Sequence, residues 1–372
     1  MLCYNRAVLK RVDRLVLIEL IPPFLFAAFA FLVLIVGAAL LKPLLDFLIK
    51  YGVGANIFLQ LLVLSLPQWV VYTFPMAMLS GTLLAVGRLS GDSEITALRS
   101  AGVSLYRITL PILFFALVLS LITFILNEQI APYANYRFDA IKQRIIKEKT
   151  GQVSQSKVSL NFYRQGYLSY MLIADKLEEA NLTDLNLLSF DPRTHEYAWH
   201  MQAQSARWNG SRWSFYNGKV HNFLEEGVVT TKFDQWEVPD FDLSPADIAL
   251  KSKDPAELSV FDLRKIISYQ KESGMDARTI RRFQVEYFFK FSIPFSPLFF
   301  VLIGVPLAIM PLRSSTSMGM GLSLLIVLLY FLLYTLSMQM GRGGMIQPAV
   351  AAWIPNGAVF LAGVILMRLR NR

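Results

Sequence analysis

A short charged segment, SGDSEITALRSAG at residues 90–102, carries side chains suited to ionic recognition. Asp92 or Ser93 can act as the N-cap of a helix, because a short oxygen side chain can accept hydrogen bonds from free backbone N–H groups. Glu94 then falls in the first turn, where the helix dipole favours an acid, and Gly102 can end the helix. Apolar residues recur at about helical spacing at Ile95, Leu98 and Ala101, which predicts an apolar face on this helix. Such a helix either rests on a membrane interface or docks a protein partner.

The rest of the chain offers no catalytic or metal-binding constellation. Cys3 is the single cysteine, so no disulfide can form within the chain. The phosphate-loop pattern GxxxxGK[ST] is absent, which argues against ATP hydrolysis by that route. The three histidines, His195, His200 and His221, lack the i, i+4 spacing of a helical zinc site. We therefore expect no catalytic residue and no metal site.

The elements that must position the charged segment are membrane spans. Hydrophobic residues make up 54% of the 372 residues, and only 17% are charged. A span needs about 20 apolar residues, and six stretches meet that length: Leu20–Leu41, Ile57–Gly87, Ile108–Leu126, Tyr287–Met310, Met318–Met340 and Ala349–Met367. Pro67 is expected to mark a break or kink in the second of them. The sequence predicts a polytopic α-helical membrane protein with six transmembrane helices.

Orientation follows from the lysines and arginines of the short loops. Eleven lie in the two tails and in the loops after the second and fourth stretches, against three in the opposite short loops. By the positive-inside rule, both termini and residues 90–102 are expected in the cytoplasm. This bias also accounts for much of the net charge of +9, so that no nucleic-acid partner is needed to explain it.

Residues 127–285 are then expected on the outer side of the membrane, with an antiparallel β domain at about 151–245. The pairs Asn209-Gly210 and Asn217-Gly218 predict hairpin turns. Residues 167–175 and 227–238 read as further strands. Residues 133–149 read as an extension of the third span, and residues 258–274 as an amphipathic helix with Ser259 and Asp262 as a capping box and Gly274 as its end.

Four segments carry a specific resemblance. They are residues 65–104, SLPQWVVYTFPMAMLSGTLLAVGRLSGDSEITALRSAGVS; residues 258–298, LSVFDLRKIISYQKESGMDARTIRRFQVEYFFKFSIPFSPL; residues 304–325, GVPLAIMPLRSSTSMGMGLSLL; and residues 351–356, AAWIPN. The four segments occur in this order along the chain. Together they resemble the LptF/LptG family, the permease subunits of the lipopolysaccharide export system. The β region matches mainly in position and length.

The resemblance implies an architecture and a set of partners. It implies three spans in residues 1–126, a periplasmic region at 127–285 with a β-jellyroll-like domain, and three spans in residues 286–372, in the bacterial inner membrane. The implied partners are a cytoplasmic LptB-like ATPase dimer, a second permease subunit (an identical copy or a paralogue), LptC/LptA-like bridge proteins and lipopolysaccharide. ATP and Mg would be bound by the ATPase, so that this chain would hold no cofactor.

The resemblance also implies roles for residues. Residues 92–101 would be the coupling helix, with the ATPase contacts Asp92, Glu94, Ile95, Leu98 and Arg99. Cations near the outer headgroup level, Lys42 and Lys50, would meet lipid phosphates, or else snorkel at the interface with Asp46 bridging them. Gln68 stands where some relatives carry a lysine. The lipid cavity would be lined by Trp69, Tyr72, Phe74, Met76 and Met78, for which packing between helices is the alternative.

Two other functions remain open at this point. A permease of the lipoprotein-release or macrolide-export type has four spans and its large exterior domain after the first span, whereas six spans with the domain after the third are predicted here. A membrane-anchored sensor or adhesion module would need no ATPase, and it would give no reason for a capped charged helix between two spans.

Overall fold

The structure is a computed structural model with two compact units, residues 1–138 with 287–372 and residues 139–286. It describes residues 2–150, 158–164, 167–178, 180–191, 196–224, 227–238, 241, 244–245, 248, 254–272, 277–309 and 316–370. Within these residues, six helices are long and apolar enough to cross a membrane. The predicted six-span helical fold with an inserted β domain is confirmed.

The first half of the helical part is built from long helices interrupted by two short π-helical segments. Helix α1 (Leu2–Ile35) passes through Val36–Leu41 into α2 (Lys42–Tyr51), and α3 (Ala55–Gly91) returns through the apolar layer. The short helix α4 (Glu94–Ser100) then precedes α5 (Leu105–Ile125), which continues through Leu126–Ile130 into α6 (Ala131–Thr150). The predicted extension of the third span is therefore present as α6.

The second half contains three further spans. Helix α7 (Val260–Glu272) precedes α8 (Ala277–Ala308), α9 (Thr316–Gly343) and α10 (Pro348–Arg370). Ser259 caps α7 as predicted, since the backbone N–H of Asp262 donates to Ser259 Oγ. The Ser259 hydroxyl in turn donates to the Asp262 carboxylate, so that the second bond joins two side chains. Gly274 lies outside the described residues.

A break or kink was predicted at Pro67; the helix does not break there, and a kink stays a prediction. Helix α3 continues through both Pro67 and Pro75. Each proline removes one backbone donor, but in an apolar layer the remaining backbone groups have no water partner and keep their helical bonds.

Small residues bring the spans close together. A Cβ added at Gly81 would lie 2.9 Å from the Cα of Phe24 on α1, and one at Gly363 would lie 2.8 Å from the carbonyl carbon of Leu302 on α8. Helices in lipid gain little from hydrophobic burial against each other, so that close van der Waals packing at small residues is a main source of their association. These two glycines fix where α1 meets α3 and where α8 meets α10.

The β domain is one six-stranded antiparallel sheet. Its strands pair in chain order: β1 (Val158–Arg164), β2 (Tyr167–Glu178), β3 (Asn181–Phe190), β4 (Tyr197–Trp208), β5 (Trp213–Leu224) and β6 (Gly227–Glu237). This order is a meander, simpler than the Greek-key order of a strict jelly roll. Both strands expected at residues 167–175 and 227–238 are confirmed as β2 and β6.

The two Asn-Gly pairs behave differently. Asn209 and Gly210 form the turn between β4 and β5, where Gly210 has φ +102° and the Asn209 side chain accepts from the N–H groups of Ser211 and Arg212. A second turn at Asn217-Gly218 was predicted, and this is wrong, because both residues lie inside β5. A Cβ at Gly218 would collide with the Gln202 carbonyl and the Phe233 ring, so that the glycine serves close packing in the sheet.

One face of the sheet forms the apolar core of its unit. Leu172 on β2 pairs with Leu187 on β3, which pairs with Met201 on β4, and Met201 pairs with Val220 on β5. All four side chains are buried, the first three completely. The sequence left open which face of β2 points inward, and the structure assigns that face to Leu172, because Met171 lies on the other side of the strand.

Candidate functional site

Helix α4 is the element that presents the predicted docking residues. Its end follows the prediction, since the N–H of Gly102 donates to the Arg99 carbonyl and the N–H of Val103 donates to the Leu98 carbonyl. This pair of bonds, with Gly102 at φ +86°, is a Schellman motif. Its start differs, because Ser93 at the N-cap has φ +61° and makes no side-chain cap. Ser93 therefore occupies a predicted N-cap position, but its side chain does not make the predicted capping hydrogen bond.

The two faces of α4 have different environments. Ile95 is 1% exposed and lies in the core formed with α1, α3 and α5, and Leu98 packs against the same core. Glu94 and Arg99 are exposed, and neither makes an ion pair within the described residues. Ala101, predicted on the apolar face, is exposed because the helix has ended at Ser100. The helix is thus anchored by Ile95 and Leu98 and presents charges of both signs outward.

Arginines on both sides of α4 tie this region to α1. Arg88, at the end of α3, lies 3.1 Å from the Glu19 carboxylate and 3.8 Å from that of Asp92. On the other side, Arg107 donates to both carboxylate oxygens of Asp13. Asp92 is exposed and already has a cation neighbour, whereas Glu94 is available to a partner. The α1 carboxylates were not predicted as part of this site.

The two predicted headgroup cations lie on α2. Lys42 and Lys50 are both exposed, and eight residues separate them, about 12 Å along a helix. Asp46 lies between them, but within the described residues no ion pair joins it to either lysine. The ammonium of Lys50 instead lies 5.2 Å from the centre of the Tyr51 ring. Both lysines are therefore available to an anion, and their role stays a prediction.

The predicted cavity residues divide into two groups along α3. Trp69, Tyr72 and Phe74 are half-buried, with the Trp69 and Tyr72 rings 6.4 Å apart. Met78 is fully buried in the core of α1, α3 and α5, and Met76, at 9% exposed, lies in a second core with α8, α9 and α10. The positions of the two methionines fit the packing alternative. Phe74 also packs against the first of these cores, with its ring centre 6.0 Å from that of Phe24, whereas Trp69 and Tyr72 keep surface that a lipid contact needs.

A buried polar cluster joins the last three spans, and the sequence did not reveal it. The Asn356 amide donates to the backbone oxygen of Ser292 at 2.7 Å, and Tyr330 donates to the Asn356 side-chain oxygen at 3.0 Å. Asn356 is 0% exposed, and its partners lie on α8 and α9. An amide inside an apolar run was the available signal, since such a group must find partners in lipid.

Histidine side chains do not form a metal centre in the described part of the chain. His200 and His221 face each other across β4 and β5, with ring centres 5.9 Å apart. Each ring already has a polar neighbour, Asn186 for His200 and Thr230 for His221. No group of three or more potential ligands occurs among the described residues. His195 lies outside them.

Comparison with known proteins adds to this geometry. A family described as "Lipopolysaccharide export system permease LptF/LptG" matches residues 14–369. The Haemophilus influenzae protein named "Lipopolysaccharide export system permease protein LptG" is 23% identical over 355 residues, 93% of this chain and 96% of that protein. The LptG permease of Escherichia coli K12 is 26% identical over 326 residues, 82% of this chain and 84% of that protein. The LptF permease of the same strain is 21% identical over 322 residues, 85% and 83% of the two chains.

Proposed function

The chain belongs to the LptF/LptG family of lipopolysaccharide export system permeases, and from this premise we propose how it is driven and what it carries. It is a membrane subunit of a transporter, and the family match over residues 14–369 favours this function over a lipoprotein-release permease or a sensor module. Its cargo is lipopolysaccharide or a related amphipathic glycolipid, and its energy comes from ATP hydrolysis by a separate subunit.

We infer that α4 lies in the cytoplasm and the sheet in the periplasm. The support is the excess of lysine and arginine in the two tails and in the loops beside α4. In a Cys3→Ser background, Ser100→Cys should resist an impermeant thiol reagent in intact cells, and Ser211→Cys in the β4–β5 turn should react. Labelling of Ser100→Cys from outside would overturn the orientation.

The exposed charges of an otherwise anchored α4 are the observation that carries the docking proposal. An LptB-like ATPase dimer binds there, and the ATP and Mg stay in that partner. Glu94 supplies an acidic contact in the first helical turn, and Ile95 and Leu98 hold the helix rigidly against the spans so that motion is transmitted. Arg88 and Arg107 fix both ends of this region to α1 through Glu19 and Asp13.

A substitution at Glu94 tests this proposal. Glu94→Lys reverses the contact and opposes the helix dipole, so that the ATPase should dissociate or hydrolyse ATP without transport. Thr96→Lys adds a cation at another exposed position of α4 and is the matched control for a general charge effect. Wild-type transport by Glu94→Lys, with the protein inserted normally, would remove Glu94 from the coupling mechanism.

The cargo and the remaining partners form the second part of the proposal. A second permease subunit, identical or paralogous, completes the membrane complex, and LptC/LptA-like proteins accept the lipid. Each acyl chain of about ten methylenes in water costs on the order of 8 kcal/mol, so that the lipid needs a sheltered route. Gentle purification followed by mass spectrometry of bound proteins and lipids should recover an ATPase and a phosphorylated glycolipid. Recovery of bulk phospholipid alone would contradict the assigned cargo.

A further inference from the structure

Helix α7 carries an aromatic side chain on the side opposite to its buried face. Leu263 and Ile266 are 0% and 2% exposed, and they hold the helix in its unit. Phe261 is 78% exposed, and no large apolar side chain in the described part of the chain is more exposed. A side chain of this size outside the core leaves apolar surface in water, and this surface is available to a second contact.

The residues around Phe261 are cationic. At 100° per residue, Arg264, Lys265 and Ser268 lie within about 60° of Phe261 around the helix axis, and all three are exposed. The outer face of α7, defined by Phe261, Arg264 and Lys265, therefore combines one large aromatic ring with two positive charges. Positive side chains near a bilayer attract anionic lipid headgroups, and an apolar ring beside them gains free energy when it leaves water.

The orientation of this face is fixed by the folded structure. The Ser259 cap and its bond to the Asp262 carboxylate define the first turn, and the N–H of Leu263 donates to the Ser259 carbonyl at 2.9 Å. Burial of Leu263 and Ile266 then sets the rotation of the helix. The outer face is presented by a preformed helix, so that little conformational entropy is lost when it binds.

The chain also keeps α7 near a bilayer. Its last residue, Glu272, is five positions before Ala277, where α8 begins, and the apolar part of α8 starts ten residues later at Tyr287. A fully extended linker reaches at most about 18 Å over five residues, and ten helical residues add about 15 Å. The chain thus holds the end of α7 within about 33 Å of the start of the apolar stretch.

We propose that the outer face of α7 binds anionic phospholipid headgroups at the bilayer surface. Arg264 and Lys265 attract the phosphates, and the Phe261 ring enters the boundary between headgroups and acyl chains. The contact anchors the beginning of α8 and requires neither the exported lipid nor the ATPase. A negative result for this contact would leave the proposed function unaffected.

A fluorophore on α7 tests this contact in the full-length chain. Ser268→Cys, in a Cys3→Ser background, places the label on the outer face and leaves Phe261, Arg264 and Lys265 intact. Ser211→Cys in the β4–β5 turn is the matched exposed control. The protein is reconstituted without lipopolysaccharide in nanodiscs of phosphatidylcholine alone or with phosphatidylglycerol, and quenching by headgroup spin-labelled lipid is measured.

We expect strong quenching at position 268 in the anionic discs and none above background at position 211. A basic residue at an anionic surface changes the ratio of bound to free helix about fivefold, so that Arg264→Glu with Lys265→Glu should lower it at least 25-fold. High salt should also lower the ratio of bound to free helix, because it screens the charges. Phe261→Ser should reduce quenching at both low and high salt. An unchanged thermal transition of the variants excludes unfolding as the cause.

Three results would overturn the proposal. Equal quenching at positions 268 and 211 would show that α7 has no particular contact with the membrane. Equal quenching in neutral and anionic discs would remove the role of the two cations. Quenching that appears only when a second protein or lipopolysaccharide is added would assign the outer face of α7 to that other occupant.

Discussion

Arg107, in the first turn of α5, donates two parallel hydrogen bonds to the carboxylate of Asp13 on α1, at 2.6 and 2.8 Å. The fork geometry of a guanidinium matches both carboxylate oxygens at once. The N–H of Arg107 also donates to Ser104 Oγ, the N-cap of α5. One side chain therefore connects the exit of the α4 region to the first span.

Arg107→Lys should weaken this connection although it keeps the charge, because an ammonium cannot bond both oxygens in the same plane. The side chains of Arg107 and Asp13 are 25% and 36% exposed, so that solvent screening limits the loss to about 0.5–1 kcal/mol. Thermal unfolding in detergent, in a double-mutant cycle with Asp13→Asn, measures the coupling. Arg99→Lys is the control on α4, and a loss of equal size there would show that the pair contributes nothing specific.

Two glycines of α3 give a sharper test of helix packing. Gly81→Ala places a methyl group 2.9 Å from the Phe24 Cα, and such overpacking costs about 1–3 kcal/mol. Gly87→Ala meets nothing within 4 Å and should stabilise the helix by up to about 1 kcal/mol through its propensity. Opposite shifts of the melting temperature are expected, and destabilisation by both changes would contradict the close approach of α1 and α3.

Local patterns were sufficient to predict most elements of the fold. Apolar runs of span length located the six spans, and the Asn209-Gly210 pair located the turn between β4 and β5, because both signals depend on residues that are adjacent in the chain. Two local signals were overridden by their surroundings. The apolar layer preserved an unbroken helix around Pro67, and the close approach of the Gln202 carbonyl and the Phe233 ring leaves room only for a glycine at position 218 of β5.

The candidate site was predictable where it depends on one helix and hidden where it depends on several. The charges of α4 and the Schellman motif at its end depend on residues that are adjacent in the sequence. Asp13 is 94 positions from Arg107, and Asn356 is 64 positions from Ser292. Nothing in the local pattern pairs such residues, so that these contacts become visible only in the folded chain.

The Asn356 cluster should stabilise the last three spans measurably. Asn356→Leu removes the hydrogen bonds to Ser292 and Tyr330 and leaves their polar groups without this partner, at a cost of about 1–3 kcal/mol. Tyr330→Phe removes a single bond, and a cycle of the two changes should give a coupling of about 0.6 kcal/mol, as is typical between membrane helices. Unfolding by denaturant in detergent measures the loss of stability and the coupling energy. Strict additivity would show that the hydrogen bond between Tyr330 and Asn356 makes no net contribution to stability.

The pH dependence of the β domain should include a contribution from His200. Burial lowers the pKa of this imidazole, and the nearby His221 lowers it further. The folded state therefore favours neutral His200, and its contribution to stability is complete above the unfolded pKa of about 6.5 and is lost as the pH falls below that value. Thermal unfolding followed by tryptophan fluorescence from about pH 7.5 to about pH 5.5 should show this loss, and His200→Gln should reduce it. An unchanged profile in His200→Gln would assign the effect to other groups.

The inner face of the sheet is the place to test whether the β domain carries lipid or only closes the complex. Leu172 is completely buried on the apolar face, between Leu160 of β1 and Leu187 of β3, and Met171 lies on the other face of the same strand. A conduit must present acyl chains to that apolar face, because exposed methylenes are costly in water. A photo-crosslinking amino acid at position 172 should therefore capture lipid during ATP-driven transport, and one at position 171 is the matched control. Adducts at position 171 alone would place the lipid on the other face of the sheet, and equal adducts at both positions would show that the lipid does not prefer the apolar face. If transport proceeds and neither position captures lipid, the cargo leaves the membrane by a route that avoids this domain.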